Sequence, residues 1–451
     1  MKIQVEQLDL LAPWPAITMR AGYYAVRVTV RLGAIPIGGV FVRPVRTRVV
    51  RHDRLRRRIA RECGSAIAKL LGIAAVREVE EVLLSSGVPE PIRGAFVEAH
   101  SQRSWPTPGV TVAIYTRDRA DVLEACVRSL QQLDYPNFDI LVLDNSHDPV
   151  PTRERAEKLG VGYVRCLASS AGRARNAAVE QSRSEWIAFL DDDCRPERNW
   201  LKELVRAAQD ADCRCVCGPV RPAKLESSAD IAFAMHGGFP NGFTHRVLTP
   251  ASLDCSLTRP APAWRFGSTA NLLVHRVFVQ LAGGFDVDLA NGEEADLFYR
   301  AILAGHTVHY TPLAIVAHQR AWTRKSLRHW IRASAGAAAI YHVQRVLRYW
   351  DYRSLIELAW HRPLALAREL ASAIRGRSRY PWSLLLVEFR GMIAGPVTHA
   401  AMRLRRLGKS NAAKSQARRP NRKTGATPIP SPDPATLAYG APPRNPSNRA
   451  A

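Results

Sequence analysis

Residues 186–193 read WIAFLDDD, a short apolar run that ends in three consecutive aspartates. An apolar run of this length between polar flanks is typical of a buried strand in an α/β protein. Adjacent carboxylates repel one another unless a cation neutralises them, and Mg²⁺ or Mn²⁺ binds carboxylate oxygen and can bridge it to a diphosphate. The stretch therefore predicts a divalent-cation site at a strand end. An exposed acidic turn is the alternative interpretation.

The residues before this stretch predict a parallel sheet. Apolar runs at residues 110–115 and 140–143 flank an amphipathic helix. The helix carries its apolar side chains at Val122, Cys126, Leu130 and Leu133. A strand, a helix and a second strand within about thirty-five residues form a βαβ unit. Further strands are expected at residues 162–166 and 186–190.

Polar side chains follow the predicted strands. The sequences are TRDR at residues 116–119, DNS at 144–146 and GRARN at 172–176, the last in the helix before Trp186. Ligands of open parallel sheets bind beyond the carboxyl ends of the strands. The glycine-rich phosphate loops of dinucleotide-binding and P-loop enzymes are missing from the sequence,. A nucleotide bound here must have its diphosphate held in another way.

Taken in order, these motifs resemble glycosyltransferase family 2, whose members invert the configuration of the transferred sugar. The motifs are TRDR (116–119), LDN (143–145), ARN (174–176), FLDDD (189–193), GGFD (283–286) and GEEADL (292–297). The resemblance covers about residues 110–318, and its specificity lies in the ordered set rather than in any single motif. It implies the GT-A fold, an α/β architecture with a mixed, mostly parallel sheet between helices.

The resemblance also implies a site for a nucleoside-diphosphate sugar donor. Thr116 and Arg119 would lie along the nucleotide, and Asp144 would accept a hydrogen bond from the base. Arg175 would lie near the diphosphate or order the donor loop. Arginines on the surface of a helix and an aspartate that only forms a turn are the alternative interpretations of these residues.

The aspartates of the FLDDD motif would complete this donor site. Asp191 would contact the ribose or the donor sugar, with Asp192 beside it. Asp193 would bind the divalent cation, Mn²⁺ or Mg²⁺. His318 occupies the place where many relatives have a histidine after a strand, and it would help to hold the metal or the diphosphate. A purely structural histidine is the alternative.

The acceptor side is implied by two loops and the start of a helix. The residues assigned to it are Asn271, Gly284, Phe285, Asp286 and Glu293. The second acid of the family's Glu-Asp pair is the expected general base, and in this chain that position is Glu294. Glu293 and Asp296 are alternative bases, and acids that only favour a helix N-terminus are the structural alternative.

The expected reaction transfers a sugar to an acceptor hydroxyl in a single displacement. A base takes the hydroxyl proton while the metal and arginines stabilise the leaving nucleotide. The acceptor stays open between a glycan, a lipid-linked glycan and a small molecule, with cell-surface polysaccharide or glycolipid synthesis as the expected setting. A nucleotidyltransferase acting on sugar phosphates is an alternative, which would release pyrophosphate instead of a nucleoside diphosphate.

The chain is expected to have four regions. Residues 1–105 form a small α+β accessory domain, in which segments 25–32 and 35–42 make a hairpin. Residues 106–325 form the catalytic domain. Residues 326–402 form a helical extension, and residues 403–451 form a disordered basic tail.

The net charge of +24 is concentrated in two places. One is an arginine run, and the other is the tail. The run comprises Arg43, Arg46, Arg48, Arg51, Arg54, Arg56, Arg57 and Arg58. A solvated surface is one interpretation, and attachment to the anionic inner face of a membrane is our hypothesis. A basic nucleic-acid-binding protein is the third class considered, but no recognised module supports it, and we expect no nucleic-acid partner.

The sequence also predicts a location. It contains no run of about twenty apolar residues, so a spanning helix is not expected,. The N-terminus lacks the apolar core and cleavage site of a signal peptide,. We therefore expect a cytoplasmic protein, with peripheral attachment to the membrane as the hypothesis.

Overall fold

The computed structural model describes residues 2–43, 48–73, 76–85, 88, 105–166, 170–236, 242–289, 291–375 and 380–417. Residues Met1–His399 form one compact unit, and residues Ala400–Ala451 form a second. The segments predicted as accessory and catalytic regions, and the predicted helical region as far as His399, thus lie in the first unit. Arg46 of the arginine run and residues 418–451 of the basic tail lie outside the described residues.

The N-terminal segment forms a small sheet packed against helices. Strand β1 (Ile3–Asp9) pairs in parallel with β2 (Ala25–Leu32), which pairs antiparallel with β3 (Ile35–Val42). The predicted hairpin is therefore confirmed. Helices α1 (His52–Leu71) and α2 (Val76–Ser85) follow, and their apolar side chains share one core with the sheet.

This N-terminal sheet is attached to the catalytic segment. The Arg31 guanidinium lies 2.7 Å from the Glu197 carboxylate, and both side chains are largely buried. The Ile3 amide donates a hydrogen bond of 2.8 Å to the Leu225 carbonyl. The two segments consequently pack as parts of one body.

The catalytic segment alternates strands with helices. Its strands are β4 (Val110–Thr116), β5 (Phe138–Asp144), β6 (Gly162–Arg165), β7 (Trp186–Asp191), β8 (Cys194–Pro196), β9 (Cys215–Cys217), β10 (Val220–Pro222), β11 (Arg246–Leu248), β12 (Leu272–His275), β13 (Val308–Tyr310) and β14 (Val316–His318). Its helices are α3 (Ala120–Leu130), α4 (Val150–Lys158), α5 (Ala171–Gln181), α6 (Trp200–Asp210), α7 (Ser228–Met235), α8 (Arg276–Leu281) and α9 (Glu293–Leu303). Short 3₁₀ turns occur at Pro250–Leu253, Pro262–Arg265 and Thr269–Asn271.

The central sheet is mixed and mostly parallel. Its strand order is β11-β13-β9-β12-β7-β4-β5-β6. Strand β4 runs parallel to both β5 and β7, β5 runs parallel to β6, and β9 runs parallel to β13. Strand β12 lies antiparallel between β7 and β9. Apolar side chains cover both faces of this sheet, as expected for strands buried between helices,.

The register of the strands brings the predicted motifs to one edge. Tyr115 pairs with Asp191, and Thr116 pairs with Asp144, so the carboxyl ends of three strands are level. A smaller sheet of order β10-β14-β8 lies where β7 ends, and in it His318 pairs with Cys194. That pairing places a residue more than a hundred positions downstream beside the end of the FLDDD motif.

The helical extension consists of α10 (Arg324–Tyr349), α11 (Tyr352–Ile356), a π-helical turn at Glu357–His361, α12 (Arg362–Ile374) and α13 (Trp382–Ala417). Thr323 begins α10 with a capping box, in which its side chain accepts from the Ser326 amide,. The described part of the chain has no helix with both the length and the apolar character needed to cross a bilayer.

Candidate active site

A cleft of about 380 Å³ opens at the carboxyl ends of β4 and β7, against the start of α9. It brings together half of the fourteen predicted site residues, although they lie far apart in the sequence. These cleft-lining residues are Arg119, Arg175, Asp191, Asp193, Glu293, Glu294 and His318. Seven of the predicted residues therefore lie together at one edge of the sheet, and the other seven do not line the cleft.

The three aspartates of the FLDDD motif have different environments. Asp191 and Asp193 line the cleft, whereas Asp192 is completely buried behind it. The Asp192 carboxylate accepts hydrogen bonds from the Thr116 hydroxyl at 2.7 Å and from the Arg119 guanidinium. The same guanidinium lies 2.7 Å from Asp193. The Arg119 guanidinium thus relieves part of the repulsion between the aspartates, which a metal ion alone was expected to relieve.

Asp193 retains one oxygen that the protein does not satisfy. Its Oδ2 accepts from Arg119, while its Oδ1 is buried and has no hydrogen-bond partner among the described residues. Nε2 of His318 lies 3.3 Å from this Oδ1, within ion-pair range. Burial acts to raise the pKa of Asp193, but His318 and Arg119 outweigh it and hold the pKa well below its usual range.

The Asp193 and His318 side chains fit a divalent cation. Two adjacent ligands of an octahedral ion at about 2.1 Å are roughly 3 Å apart, which is close to the 3.3 Å between these two atoms,. No group of three histidine, cysteine or acidic side chains poised for an ion occurs in the part of the chain that the structure describes. The protein would therefore supply two ligands, with substrate oxygens and water completing the set.

The start of α9 carries a second pair of acids. The Arg175 guanidinium, from α5, forms a buried ion pair with Glu293 Oε1. Oε2 of Glu293 is buried and has no hydrogen-bond partner among the residues described. Glu294 follows on the helix and is partly exposed to the cleft. Glu293 is thus paired with Arg175, whereas Glu294 faces the space where substrates would lie.

The protonation behaviour of Glu294 follows from these neighbours. Burial raises the pKa of the Glu294 carboxyl group above its ordinary value, and the negative charge of Glu293 raises it further. Arg175 acts in the opposite direction but does not cancel these effects. A carboxyl group with a raised pKa is a stronger base in its ionised form, as general base catalysis near neutral pH requires.

Gly292 fixes the position of this acid pair. It precedes α9 with a φ of 80°, in the left-handed region that favours glycine,. A Cβ atom at this position would lie 2.1 Å from the ring of Trp264. The aromatic ring therefore packs directly on the backbone where α9 begins, and both residues line the cleft.

Asp296, considered as an alternative base, does not line the cleft. It is completely buried, and its two oxygens accept from Arg300 at 2.7 Å and from Arg345 of α10. This ion pair attaches the helical extension to α9. Asp296 consequently has a structural environment, which leaves Glu293 and Glu294 as the candidate bases at the cleft.

Two further predicted donor-site residues, in addition to Asp192, lie behind the cleft surface. Thr116 is buried and its hydroxyl is directed at Asp192. Asp144 is completely buried, with Oδ1 accepting from the Ser146 amide and Oδ2 accepting from Tyr163 at 2.7 Å and Arg165 at 3.2 Å. Any contact of Asp144 with a base would have to share or replace these hydrogen bonds.

Most of the predicted acceptor-side residues do not line the cleft. Asn271 is completely buried, and its side chain bonds Trp200 and the Pro219 and Ala314 carbonyls. Its amide satisfies buried backbone groups where strands end, which explains its position in the core. Of the five residues assigned to the acceptor side, Glu293 alone is at the cleft surface.

The loop with Gly284, Phe285 and Asp286 supports α5 instead. Asn176 exchanges two hydrogen bonds with the Phe285 backbone, of 2.7 Å and 2.9 Å. Gly284 has a φ of 77° and lies so close to Asn176 that a Cβ atom would clash with its side chain. The ARN motif thus uses neighbouring residues for two purposes, since Arg175 holds Glu293 and Asn176 holds this loop.

The cleft also contains residues that the sequence analysis did not assign. Tyr115, Trp264, Arg320 and Trp322 line it, and the Arg320 guanidinium packs over the Trp322 ring at 4.6 Å. Arg320 and Trp322 follow His318 directly, so continuing the motif by a few residues would have found them. Trp264 had no such signal, because its proximity to Gly292 is a tertiary contact.

A second chamber of about 930 Å³ adjoins the cleft beside the helical extension. The two spaces share His236, Trp264, Arg265, Arg362 and Glu388. His236 lies 3.3 Å from Glu388 in a largely buried ion pair. The wall between cleft and chamber is therefore polar and aromatic, a composition suited to a hydroxylated ligand.

Two family models match the chain. The model described as glycosyl transferase family 2 matches residues 111–239, and that described as glycosyl transferase family group 2 matches residues 186–395. Together they include every residue that lines the cleft. The second match extends through most of the helical extension.

Individual relatives agree with these matches. The pre-mycofactocin glycosyltransferase of Mycobacterium tuberculosis is 30% identical over 237 residues, which cover 51% of this chain and 47% of that protein. The chain thus spans about half of that relative's length. The succinoglycan biosynthesis protein ExoM of Rhizobium meliloti is 28% identical over 48% of this chain and 69% of its own.

One solved structure is also similar to part of this chain. The mannosyltransferase of Pyrobaculum calidifontis in complex with GDP-Man and Mn²⁺ has a TM-score of 0.44 and 17% identity, covering 68% of this chain and 92% of that one. The expected fold, a mixed and mostly parallel sheet between helices with a helical C-terminal region, is the one observed. On the family matches and the curated relatives, this chain belongs to the family 2 glycosyltransferases, with the GT-A fold.

Proposed function

We propose that this protein transfers a sugar from a metal-bound nucleoside-diphosphate sugar to an acceptor hydroxyl, with inversion. The observation that carries the proposal is the shared cleft, since Asp193, His318 and Glu294 line it together. Relatives named for glycosyl transfer and for succinoglycan biosynthesis support a role in polysaccharide or glycoconjugate synthesis. These findings do not favour the nucleotidyltransferase and nucleic-acid-binding alternatives.

The donor would lie between the acidic cluster and α5. Asp193 and His318 would hold Mn²⁺ or Mg²⁺, which when bound neutralises charge on the departing diphosphate. Arg119 and Arg175 line the same cleft and add positive charge near that diphosphate,. Asp191 would contact the ribose or the sugar.

The acceptor hydroxyl would approach Glu294. In its ionised form the Glu294 carboxylate accepts the hydroxyl proton as the acceptor oxygen attacks the anomeric carbon. The bond to the diphosphate oxygen breaks on the opposite side, so a single displacement inverts the anomeric configuration. Arg175 pairs with Glu293, and the negative charge of Glu293 helps to raise the pKa of the neighbouring Glu294. The adjoining chamber is the space proposed for the rest of the acceptor.

Product analysis tests this proposal. The full chain is incubated with a panel of sugar nucleotides, Mn²⁺ and candidate acceptors, and free nucleoside diphosphate and pyrophosphate are quantified. We expect nucleoside diphosphate, whose release EDTA or Asp193→Ala abolishes. Asp134→Ala, at an exposed acid away from the cleft, is the matched control and should retain wild-type activity. Release of pyrophosphate, or full activity of Asp193→Ala, would refute the proposal.

Attachment to the anionic inner face of a membrane, expected from the charge distribution, also stays a proposal. In the arginine run, Arg51, Arg54, Arg57 and Arg58 are exposed on or beside α1. Arg56 instead packs over the Trp14 ring at 5.1 Å. These exposed arginines supply positive charge that suits a contact with anionic lipid, but the charge alone does not specify the partner.

A further inference from the structure

Helix α13 has an apolar stripe on its solvent side. The exposed fractions of its five members range from 44% to 66%. The stripe comprises Trp382, Leu386, Phe389, Ile393 and Val397. Their spacing of four, three, four and four residues puts all of them on one face of the helix. Solvent exposure of a continuous stripe of this kind is unusual for a surface helix, whose outer face is normally polar.

The opposite face of α13 already forms its packing contacts. Leu384, Leu385 and Val387 are buried in a core shared with α7, α10 and α12. Gly395 approaches α10 so closely that a Cβ atom would lie 2.4 Å from the Cα atom of Gly336. This close backbone contact fixes the rotation of α13, so the stripe cannot turn inward. The helix is therefore apolar on two sides, and only one of them has a partner in the described chain.

Other elements of the helical extension also have exposed aromatic and aliphatic side chains. Trp350 is 86% exposed, and Trp360 in the π-helical turn is 65% exposed. Tyr352 and Leu355 of α11 and Ile374 at the end of α12 are also exposed. Tryptophan and tyrosine favour the boundary between water and lipid, because each side chain combines an apolar ring with a polar group.

Positive charge accompanies this apolar surface. Arg368, Arg375 and Arg390 are exposed on or next to the same helices. The sequence that continues from the stripe is strongly basic. Its basic residues include Arg403, Arg405, Arg406, Lys409, Lys414, Arg418, Arg419, Arg422 and Lys423. Apolar side chains next to clustered arginines and lysines are the composition of helices that lie in an anionic membrane interface.

We propose that the apolar stripe of α13 binds in the head-group region of an anionic phospholipid bilayer. A second copy of this chain is the less favourable occupant, because the copies share a net charge of +24 and would repel one another,. An anionic bilayer can bury the apolar side chains of the stripe and attract the surrounding basic residues. The helix lies in the interface without crossing it, in agreement with the lack of a spanning helix in the described chain,. This inference goes beyond the proposed transfer reaction and can fail independently of it.

Vesicle flotation of the full chain tests the inference. The vesicles are phosphatidylcholine alone or phosphatidylcholine with 30% phosphatidylglycerol, roughly the anionic content that attracts basic segments. The test variant is the triple substitution Trp382→Glu, Phe389→Glu and Ile393→Glu. The matched control is the double substitution Leu257→Glu and Leu281→Glu, at apolar side chains that are 80% and 84% exposed elsewhere. Circular dichroism and thermal melting confirm that each variant is folded.

We expect the wild type and the control to float with the anionic vesicles, and the triple variant to bind at least about tenfold less. Wild-type protein that stays at the bottom of the gradient at low salt would overturn the inference. Equal flotation of the triple variant would also overturn it, because the stripe would then be dispensable. A wild-type dimer in light scattering that the triple variant loses, with flotation unchanged, would identify a second copy as the occupant instead.

Fluorescence provides a readout that does not depend on the triple variant folding. Phospholipids brominated along the acyl chain quench tryptophans that enter the bilayer. We expect quenching of the wild type that decreases in Trp382→Phe, a conservative change at an exposed site. Unchanged quenching in Trp382→Phe would place this tryptophan outside the bilayer and contradict the inference.

Discussion

At the scale of single residues, the three aspartates of the FLDDD motif differ in their surroundings. Arg119 and Thr116 bind Asp192, which is completely buried, so this carboxylate stabilises the strand end. Asp191 and Asp193 face the cleft instead. Arg119 offsets part of the negative charge of Asp192 and Asp193, so this strand end depends less on an external cation,.

The neighbouring acids Glu293 and Glu294 predict a specific pH dependence. Catalysis by Glu294 requires its ionised form, so activity should rise with pH as this group, whose pKa is raised, loses its proton. Glu293→Gln removes the negative charge that raises this pKa and frees Arg175 to lower it further. We therefore expect the acid limb of the kcat profile to move toward lower pH in Glu293→Gln. Profiles of kcat against pH for both proteins measure the shift.

The control for this prediction is Asp134→Asn, which removes an exposed negative charge away from the cleft. Its acid limb should coincide with that of the wild type. A limb that stays in place in Glu293→Gln, or moves toward higher pH, would show that Glu294 is not the titrating base.

Gly292 and Gly305 form a pair of variants that separates backbone strain from steric clash. Both have positive φ values, of 80° and 88°. A Cβ atom meets the Trp264 ring at Gly292, whereas it meets nothing within 4 Å at Gly305. We expect each alanine variant to lose about 1–2 kcal/mol of unfolding free energy from the backbone conformation. Gly292→Ala should in addition lower kcat, since the ring or the start of α9 must move.

Denaturant titration and initial rates measure these effects. If the positive φ alone determines stability, the two variants should lose similar amounts of unfolding free energy. If the contact with Trp264 also positions Glu293 and Glu294, the kcat of Gly292→Ala should be lower than that of Gly305→Ala. Wild-type turnover in Gly292→Ala would mean that the Trp264 contact does not position Glu294.

At the scale of elements, α5 connects the donor side of the cleft with the loop after α8. Asn176→Ala removes two hydrogen bonds and leaves the Phe285 amide and carbonyl without partners. We expect a loss of about 1–3 kcal/mol of unfolding free energy, because unsatisfied polar groups in a packed loop are costly. Chemical denaturation measures it. Asn137→Ala, whose side chain has an exposed hydrogen bond to Thr107, should cost less than about 0.5 kcal/mol,.

The elements show how far the sequence could be read. The apolar runs and the spacing of apolar residues predict β4, β5, β6 and β7, because buried parallel strands have nearly continuous apolar sequences. The register of β14 against β8, which brings His318 to Asp193, depends on long-range pairing that local pattern does not encode. The family resemblance, not periodicity, supplied that residue.

The direction of each side chain was harder to predict than its position. Strand ends place Thr116 and Asp144 at the correct edge, yet both side chains are buried behind the cleft, where Thr116 donates to Asp192 and Asp144 accepts from Tyr163. Asn271 was assigned to the acceptor and lies in the core, since buried carbonyls require its amide. Motif identity gives a location, whereas the hydrogen-bond network decides whether the side chain reaches solvent.

At the scale of the whole molecule, three distant segments meet to form the cleft. The FLDDD motif, the GEEADL motif and His318 become neighbours because the central sheet, α9 and β14 pack in one compact unit. The N-terminal sheet and the helical extension are attached to that unit by the Arg31–Glu197 and Arg345–Asp296 ion pairs. We therefore propose that the cleft is one site in which donor binding and acceptor activation are separable.

The most direct test of this separation compares donor binding and turnover in Glu294→Gln. Once a donor is found, its dissociation constant with Mn²⁺ and the rate of transfer are measured for the wild type and the variant. We predict a donor affinity within about twofold of the wild type and a kcat reduced by about a hundredfold or more. Turnover close to that of the wild type, with the cleft otherwise intact, would contradict the assignment of Glu294 as the base.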